Sequence, residues 1–289
     1  MITGNKSTSF YSASDQVIVP ELSKLVAIVV IIYKKPSNLE RYSLVVLEAL
    51  YSGRYDIVLL QPCGLGYKRD GCITVEMDDV FFASSKAHAM LMIAPEFYAR
   101  FSEYRFLLEH QLDCLLLADR LDYFCGLDRD YISAAWIPTG SGWPKAPFVG
   151  LGGLSLRKVS SFERVSSLVR QAENHRHMMD EVIGRYFAED VFWGRDAPEL
   201  DPAFEVCSLD ESLRFSFNGS PGPYLPYVSV MPPFGWHAFG LSTRDFLFYN
   251  RFVRLPVAKK LVWSCLVIMI LAVRDFNKRI SRVALDRKK

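Results

Sequence analysis

The sequence lacks the short motifs that mark several common enzyme classes. It contains no G-x-G-x-x-G after its first apolar run, no Walker lysine motif, no G-x-S-x-G and no H-E-x-x-H. These motifs build dinucleotide, nucleotide, acyl-enzyme and zinc sites respectively. Dehydrogenase, NTPase, α/β-hydrolase and zinc-protease interpretations therefore lose their usual support.

The sequence also lacks paired cysteines, a secretory signal and a long hydrophobic run. Its six cysteines are scattered without a C-x-x-C pair, which is typical of reduced thiols in the cytoplasm. The polar N-terminus has no apolar core of the kind that a signal peptide needs. The longest mainly apolar run, Leu261–Val273, is shorter than the roughly 20 residues that span a bilayer. We expect a cytoplasmic chain that does not cross a membrane by itself.

Charge is sparse and unevenly distributed. Only 23% of the residues are charged and the net charge is +2. Residues 251–289 hold 11 Lys/Arg against 2 Asp/Glu, so residues 1–250 are net negative. A negative body repels phosphates, so no nucleic-acid partner is expected.

What is present is a globular composition, 50% hydrophobic and 13% aromatic. Leu25–Tyr33 reads as a strand buried on both faces, and Ser37 and Glu40 form a capping box before a helix. Tyr55–Leu60 and Cys72–Met77 read as the next strands. This order predicts an α/β fold, a single domain with a Rossmann-like, mostly parallel central sheet flanked by helices.

The rest of the chain completes the predicted order of elements and the predicted domain organisation. Further strands are predicted around Phe106–Leu108 and Tyr131–Trp136, and a helix over Lys158–Phe187, with irregular segments at 137–150 and 196–233. We expect a polar arm over 1–22, a catalytic domain over 23–250 and a basic helical tail over 251–289.

The first candidate site is Gln111-Leu112-Asp113, at the end of a predicted strand. Open α/β sheets bind ligands beyond the carboxyl ends of their strands. A carboxylate there suits magnesium or manganese, which prefer oxygen ligands. A helix cap or a surface turn explains the tripeptide better when it is taken alone.

The second candidate is the glycine-rich segment Gly150–Arg157. Closely spaced glycines let a backbone approach a ligand, and Arg157 could meet an anion at the edge of the site. A plain glycine turn feeding a strand is equally plausible from the sequence.

The third candidate is Glu189-Asp190, followed by the aromatic Val191-Phe192-Trp193 segment. Adjacent acids before aromatics suit a general base beside a stacking surface. They could equally well cap a helix.

The fourth candidate is His237, within Pro232–Phe239. A lone histidine in an aromatic turn is more often structural. The rigid Pro-Pro pair and flanking rings could instead hold it as a metal ligand.

These pieces together resemble a family. The resemblance covers about residues 25–240 and rests on six blocks in order: Pro95–Phe101, Phe106–Cys114, Asp130–Trp136, Gly152–Arg157, Glu189–Trp193 and Pro233–Ala238. They resemble a largely uncharacterised group of bacterial and viral domains related to GT-A glycosyltransferases, the domain of unknown function 5672 family.

The resemblance implies a nucleotide-sugar-dependent transferase. GT-A enzymes usually bind manganese or magnesium through an Asp-x-Asp motif. Gln111 stands at the first acidic position here and Asp113 remains, so metal dependence could be weak or absent. By the same resemblance, His237 matches the position of a late metal ligand. Glu189 or Asp190 matches the catalytic acid pair near the acceptor. Gly152 and Gly153 would line the sugar pocket. Further substrate-binding candidates are Gln111, Arg157, Trp193 and Trp236.

The expected function is transfer of a sugar from a nucleotide-diphosphate donor to a hydroxyl acceptor. The acceptor would be a glycan or lipid-linked molecule, as in surface polysaccharide or glycan synthesis. The alternative, motivated by Gln111, is a catalytically silent sugar- or nucleotide-binding module on the same fold.

The basic tail allows two interpretations. An apolar segment flanked by cations could lie on an anionic membrane surface as a peripheral contact. It could also pack on the protein body, which we favour slightly because the segment is apolar on all sides.

Overall fold

A computed structural model describes residues 24–138, 144–171, 189–228, 231–240 and 242–286. The predicted arm over 1–22, the second half of the predicted 158–187 helix and the last three residues lie outside these ranges. The described residues form two sheets flanked by helices.

The larger sheet has six strands among the described residues, in the order β3-β2-β1-β4-β7-β6. The strands are β1 Lys24–Ile31, β2 Asp56–Pro62, β3 Ile73–Met77, β4 Tyr104–His110, β6 Tyr131–Trp136 and β7 Phe148–Lys158. Strands β3, β2, β1 and β4 are mutually parallel, whereas β7 runs antiparallel to both β4 and β6. The predicted α/β class with a mostly parallel central sheet is confirmed.

The position of strand β1 between two hydrophobic cores explains why its sequence is apolar at every position after Lys24. Val26, Ile28 and Val30 face one hydrophobic core, and the intervening residues face a second core across the sheet. Successive side chains of a strand point to opposite faces, so a strand covered on both sides must be apolar throughout.

Helices cover both faces. They are α1 Asn38–Tyr51, α2 Ser85–Ile93, α3 Pro95–Ala99, α4 Leu121–Gly126, α5 Val159–Gln171, α6 Glu189–Val191, α7 Ala197–Leu200, α8 Leu209–Phe215, α9 Thr243–Asn250 and α10 Val257–Asp286. The predicted capping box before α1 is confirmed, with reciprocal bonds between Ser37 and Glu40. A one-turn π-helix, Phe192–Asp196, joins α6 to α7.

A small second sheet brings two distant segments together. It contains β5 Cys114–Leu116, β9 Gly235–His237 and β8 Ser216–Asn218, with β9 in the middle. Strands β5 and β9 pair antiparallel, with Cys114 opposite His237. Residue 113 is thereby held next to residue 237 although 123 positions of sequence separate them.

Two predictions about local structure need correction. Gly150–Arg157 is part of strand β7 and not a turn before it, because its backbone pairs with β4 and β6. The 196–233 segment is also more regular than expected, since it contains α7, α8 and β8. Helix α8 begins with a capping box between Ser208 and Glu211, a signal that the sequence did carry.

Helix α10 packs on the body through one side only. Ser264, Val267 and Leu271 are buried, and the latter two join the core beneath α1. The expected packing of the tail on protein is therefore seen, although the opposite side of the helix stays exposed. No helix in the described ranges is both long and apolar enough to cross a bilayer.

Candidate functional site: a cleft at the carboxyl edge of the sheet

A cleft of about 470 Å³ opens beyond the carboxyl ends of β1 and β4. Its walls contain Tyr33, Phe82, Ser84, Ser85, His88, Gln111, Gly152, Gly153, Glu189, Asp190 and His237. Six of these eleven residues are the predicted candidates Gln111, Gly152, Gly153, Glu189, Asp190 and His237. The structure thus brings four separate sequence segments to one cleft.

Asp113 forms a pair with His237 at the edge of this cleft: His237 is part of the cleft wall, whereas Asp113 is not among the lining residues and is reached through His237. Asp113 Oδ1 lies 3.3 Å from His237 Nε2, and the Asp113 side chain is 49% exposed. Burial raises the pKa of Asp113, but the hydrogen bond and charge of His237 outweigh it and hold that pKa below its usual value. The pair is therefore an ionised carboxylate beside an imidazole.

This pair fits a divalent cation of the manganese or magnesium type. Asp113 Oδ1 and His237 Nε2 would be the ligands, an oxygen and a nitrogen that such ions accept. Cys114 lies in the same group, but its Sγ donates to the Gly153 carbonyl at 3.0 Å. Burial raises the pKa of the Cys114 thiol well above its usual value, which is consistent with a protonated thiol donating to Gly153.

A bulge in β7 shapes the floor of the cleft. Ser133 of β6 pairs with Ser155, but the next residue, Ala134, pairs with Leu151. Residues 152–154 therefore have no partner on β6, and the bulge turns Gly152 and Gly153 toward the cleft.

Gly153 is the residue that makes room for His237. Its φ is +74°, and a Cβ built there would lie 2.5 Å from the His237 ring. Such a φ strains any residue with a side chain, and the contact would push the imidazole away from Asp113.

We therefore expect Gly153→Ala to lower the free energy of unfolding by about 1–3 kcal/mol. The matched control is Gly126→Ala, because a Cβ at Gly126 meets nothing within 4 Å. Chemical denaturation of both variants checks this. Equal stabilities would contradict the assigned role of Gly153.

Asp190 is the member of the Glu189-Asp190 pair whose carboxylate is held by backbone N–H groups at the cleft. Its Oδ2 accepts from the Gly152 N–H at 2.7 Å, and its Oδ1 accepts from the Val191 N–H at 2.9 Å. Burial and the nearby charge of Glu189 raise the pKa of Asp190 to about 7. A general base works best with a pKa near the operating pH, so Asp190 is suited to take a proton.

Glu189 serves a different purpose, because its carboxylate faces a buried arginine. Arg157 Nη2 lies 3.5 Å from Glu189 Oε1 and forms a shorter ion pair with Glu109 Oε2. The guanidinium also donates to Tyr98 Oη at 2.8 Å and to Ser155 Oγ at 3.0 Å. Burial raises the pKa of Glu109, but Arg157 outweighs it and keeps that carboxyl ionised.

The cluster of His88, Glu109 and Glu189 also has the spacing of metal ligands. Arg157 already supplies the positive charge that these carboxylates need, and a second cation beside it would be repelled. We therefore interpret this cluster as an ion-pair network in which His88 and Glu189 are part of the cleft wall and Glu109 and Arg157 are buried behind it.

The structure places three predicted substrate-binding residues outside the lining of the cleft. Arg157, Trp193 and Trp236 are fully buried and do not line the cleft. Arg157 is held by the acids beneath the floor, Trp193 packs on Phe162, and Trp236 donates from Nε1 to the Gly219 carbonyl at 2.6 Å.

The sequence analysis missed five residues that line the cleft: Tyr33, Phe82, Ser84, Ser85 and His88. Tyr33 could have been found, because it is the last residue of the first predicted strand, at the edge of the sheet where ligands bind. The others belong to the segment around α2, which carries no motif, and only the fold places them here.

The comparison with protein families agrees with the resemblance seen in the sequence. Residues 72–237 match the family model described as "Protein of unknown function (DUF5672)". The chain belongs to this family. The matched range of the DUF5672 chain includes both members of the Asp113–His237 pair and the Glu189-Asp190 acids. No curated protein matches the sequence.

Solved structures with a related arrangement include two sugar transferases. A glycosyltransferase involved in the glycosylation of the major capsid of PBCV-1 is 13% identical, with a TM-score of 0.42, over 77% of this chain and 98% of that one. Mouse xyloside xylosyltransferase 1 is 10% identical, with a TM-score of 0.44, over 74% of this chain and 97% of that one.

The active-site mutant Q189E of LgtC is also similar to this chain. It is 14% identical, with a TM-score of 0.48, over 80% of this chain and 98% of that one. All three TM-scores are below 0.5, so we base the functional proposal on the chemistry of the cleft.

Proposed function

We propose that this protein transfers a sugar from a nucleoside-diphosphate sugar to a hydroxyl group of an acceptor. The observation that carries the proposal is the geometry of the cleft, whose wall contains the Asp190 carboxylate and His237, with Asp113 paired to His237 at the edge. Burial and Glu189 raise the pKa of Asp190 to about 7, which suits a proton acceptor. The cleft thus combines a proton acceptor with a site suited to a diphosphate-bound cation.

At one side of the cleft, the Asp113–His237 pair faces the leaving group. Breaking the bond between C1 of the sugar and the donor phosphate leaves negative charge on the nucleoside diphosphate. A manganese or magnesium ion bound by Asp113 and His237 would stabilise that charge. Gln111, with its Nε2 donating to Glu109 Oε1 at 3.2 Å, adds no second carboxylate here.

At the other side, Asp190 is the base of an inverting transfer. As the acceptor oxygen bonds to C1, its proton passes to the Asp190 carboxylate and later to solvent. The Gly152 and Val191 N–H groups fix the carboxylate in place. Glu189 raises the pKa of Asp190 and stays bound to Arg157.

The acceptor proposed here is a glycan or lipid-linked molecule, as in surface polysaccharide or glycan synthesis. Support comes from helix α10, whose basic and apolar composition suits a chain that works at a membrane surface. We place the protein in the cytoplasm, because its six cysteines are free thiols.

The test is a panel of nucleoside-diphosphate sugars with manganese, scored for release of the nucleoside diphosphate. We expect turnover of at least one donor, faster with a hydroxyl acceptor present. Donor binding without turnover, across donors and acceptors, would contradict the proposal and favour a silent binding module. Gln111, standing where a second acid would strengthen the metal site, is the observation in favour of that module.

Metal binding can be measured separately from turnover. We expect Asp113→Asn to weaken manganese binding to the full chain by about tenfold or more, since it replaces an anionic carboxylate ligand by a neutral amide. The matched control is Asp119→Asn, because Asp119 is also half-exposed but pairs with Arg54. Isothermal titration of manganese into both variants checks this. Equal affinities would exclude Asp113 as a ligand.

A further inference from the structure

Helix α10 carries an exposed apolar surface that its packing on the body leaves uncovered. We define the exposed ridge by its large side chains, Leu261, Val262, Met269, Val273 and Phe276. Each of these is 58–68% exposed. At 100° per residue they share the side of the helix opposite Val267 and Leu271, which are buried.

The ridge is continuous and free of charge. Cys265 and Ala272 also lie on it and are exposed. The ridge extends about 22 Å along the helix, from residue 261 to residue 276. An uninterrupted apolar surface of this length on a helix is a recognised mark of an interaction site.

Cations stand at both ends of the ridge. Arg251, Arg254 and Lys259 are exposed before it, and Lys278 is exposed after it, although at 100° per residue Lys278 projects from the side of Val267 and Leu271. The acid in this stretch of sequence, Asp275, accepts hydrogen bonds from Thr243 at 2.8 and 3.1 Å. The Asp275 carboxylate is therefore hydrogen-bonded to the first residue of α9.

Aromatic rings lie beside Arg251, in the segment that leads into α10. The Arg251 guanidinium lies 4.3 Å from the Phe248 ring centroid and 4.6 Å from that of Phe252. Leu247 beside them is 52% exposed. Cations stacked on partly exposed rings are suited to the boundary between lipid headgroups and acyl chains.

We propose that the exposed ridge of α10 lies on an anionic lipid bilayer, with its apolar side chains at the acyl boundary and the flanking cations among the headgroups. The positive charge beside the ridge favours an anionic bilayer over a second copy of this chain as the occupant. A second copy of this chain packed ridge to ridge would bring its own basic ends against these, whereas anionic headgroups neutralise them. The helix then lies along the membrane surface and does not cross it.

This inference deepens the proposed function, because the same chain would meet a lipid-linked acceptor at the bilayer. It depends on that function only for the nature of the acceptor. Vesicle binding requires no sugar transfer, so each proposal can fail without the other.

The test is flotation of the full chain with vesicles of phosphatidylcholine alone or mixed with phosphatidylglycerol. We expect binding to the anionic vesicles, with a partition coefficient that falls by about tenfold or more in Met269→Gln/Phe276→Gln. The matched control is Leu168→Gln/Leu200→Gln, which makes the same kind of change at exposed leucines of α5 and α7. Both double variants leave the net charge unchanged.

The cations are tested by Lys259→Gln. We expect this variant to bind the anionic vesicles about fivefold more weakly, because each basic residue near the surface contributes about a factor of five. Binding that is equal in the ridge variant and the wild type would overturn the proposal. The proposal would also be overturned if the wild-type chain did not bind the vesicles and sedimented as a dimer, and if the ridge variant sedimented as a monomer.

Discussion

Replacing Asp190 by asparagine is expected to reduce the rate of sugar transfer by about 10²–10⁴-fold, the usual contribution of a general base. The asparagine amide still accepts a hydrogen bond from the Gly152 N–H but cannot take the proton of the acceptor hydroxyl. Release of nucleoside diphosphate under saturating donor and acceptor measures the effect.

Two variants control this prediction. Asp196→Asn changes an acid of the same segment that pairs with Arg195, and it should leave the rate unchanged. Glu189→Gln should keep transfer but lower the pKa of Asp190, because the charge of Glu189 is one cause of its elevation. If Asp190→Asn and Glu189→Gln both work at the parent rate, neither acid is the base.

Removing the buried guanidinium is expected to have the largest effect on stability. Arg157→Met leaves Glu109 and Glu189 facing each other under the cleft without a counter-charge. Breaking a buried ion pair in this way costs about 3–5 kcal/mol of unfolding free energy. Urea denaturation at pH 8 measures it.

The pH dependence of this loss has a defined sign. In the parent chain, Arg157 lowers the pKa of Glu109, so the stabilisation is present above the ordinary carboxyl pKa and is lost as pH falls. In Arg157→Met, burial is no longer opposed by the guanidinium and raises the pKa of Glu109, so protonation of that carboxyl should shrink the deficit as pH falls from 8 toward 5. Adding Glu109→Gln to Arg157→Met should restore part of the stability, and a double variant less stable than the single one would contradict the network.

The sequence predicted the elements whose signals are local. Leu25–Tyr33 is apolar at every position because both faces of the sheet are covered. Ser37 and Glu40 form a capping box with each other, so the start of α1 depends on neighbouring residues alone. Asp113 was found because a carboxylate after a buried strand lies at the ligand-binding edge of the sheet.

The sequence did not predict features that depend on pairing between distant segments. Arg157 was expected to meet an anion at the edge of the site, whereas the positions of Glu109 and Glu189 explain why it is buried. The role of Gly153 depends on the bulge opposite β6 and on the place of His237, both of which follow from register. The sequence also treated Glu189 and Asp190 alike, whereas the fold separates them by their partners.

The most direct test of the account is the pH dependence of transfer in the wild type and in Asp190→Asn. Because burial and Glu189 raise the pKa of Asp190 to about 7, the wild-type rate should rise about tenfold per pH unit below that value and level off above it. The residual rate of Asp190→Asn should show no such break. A wild-type rate that is flat from acid to alkaline pH, or the same break in the variant, would contradict the assignment of Asp190 as the base.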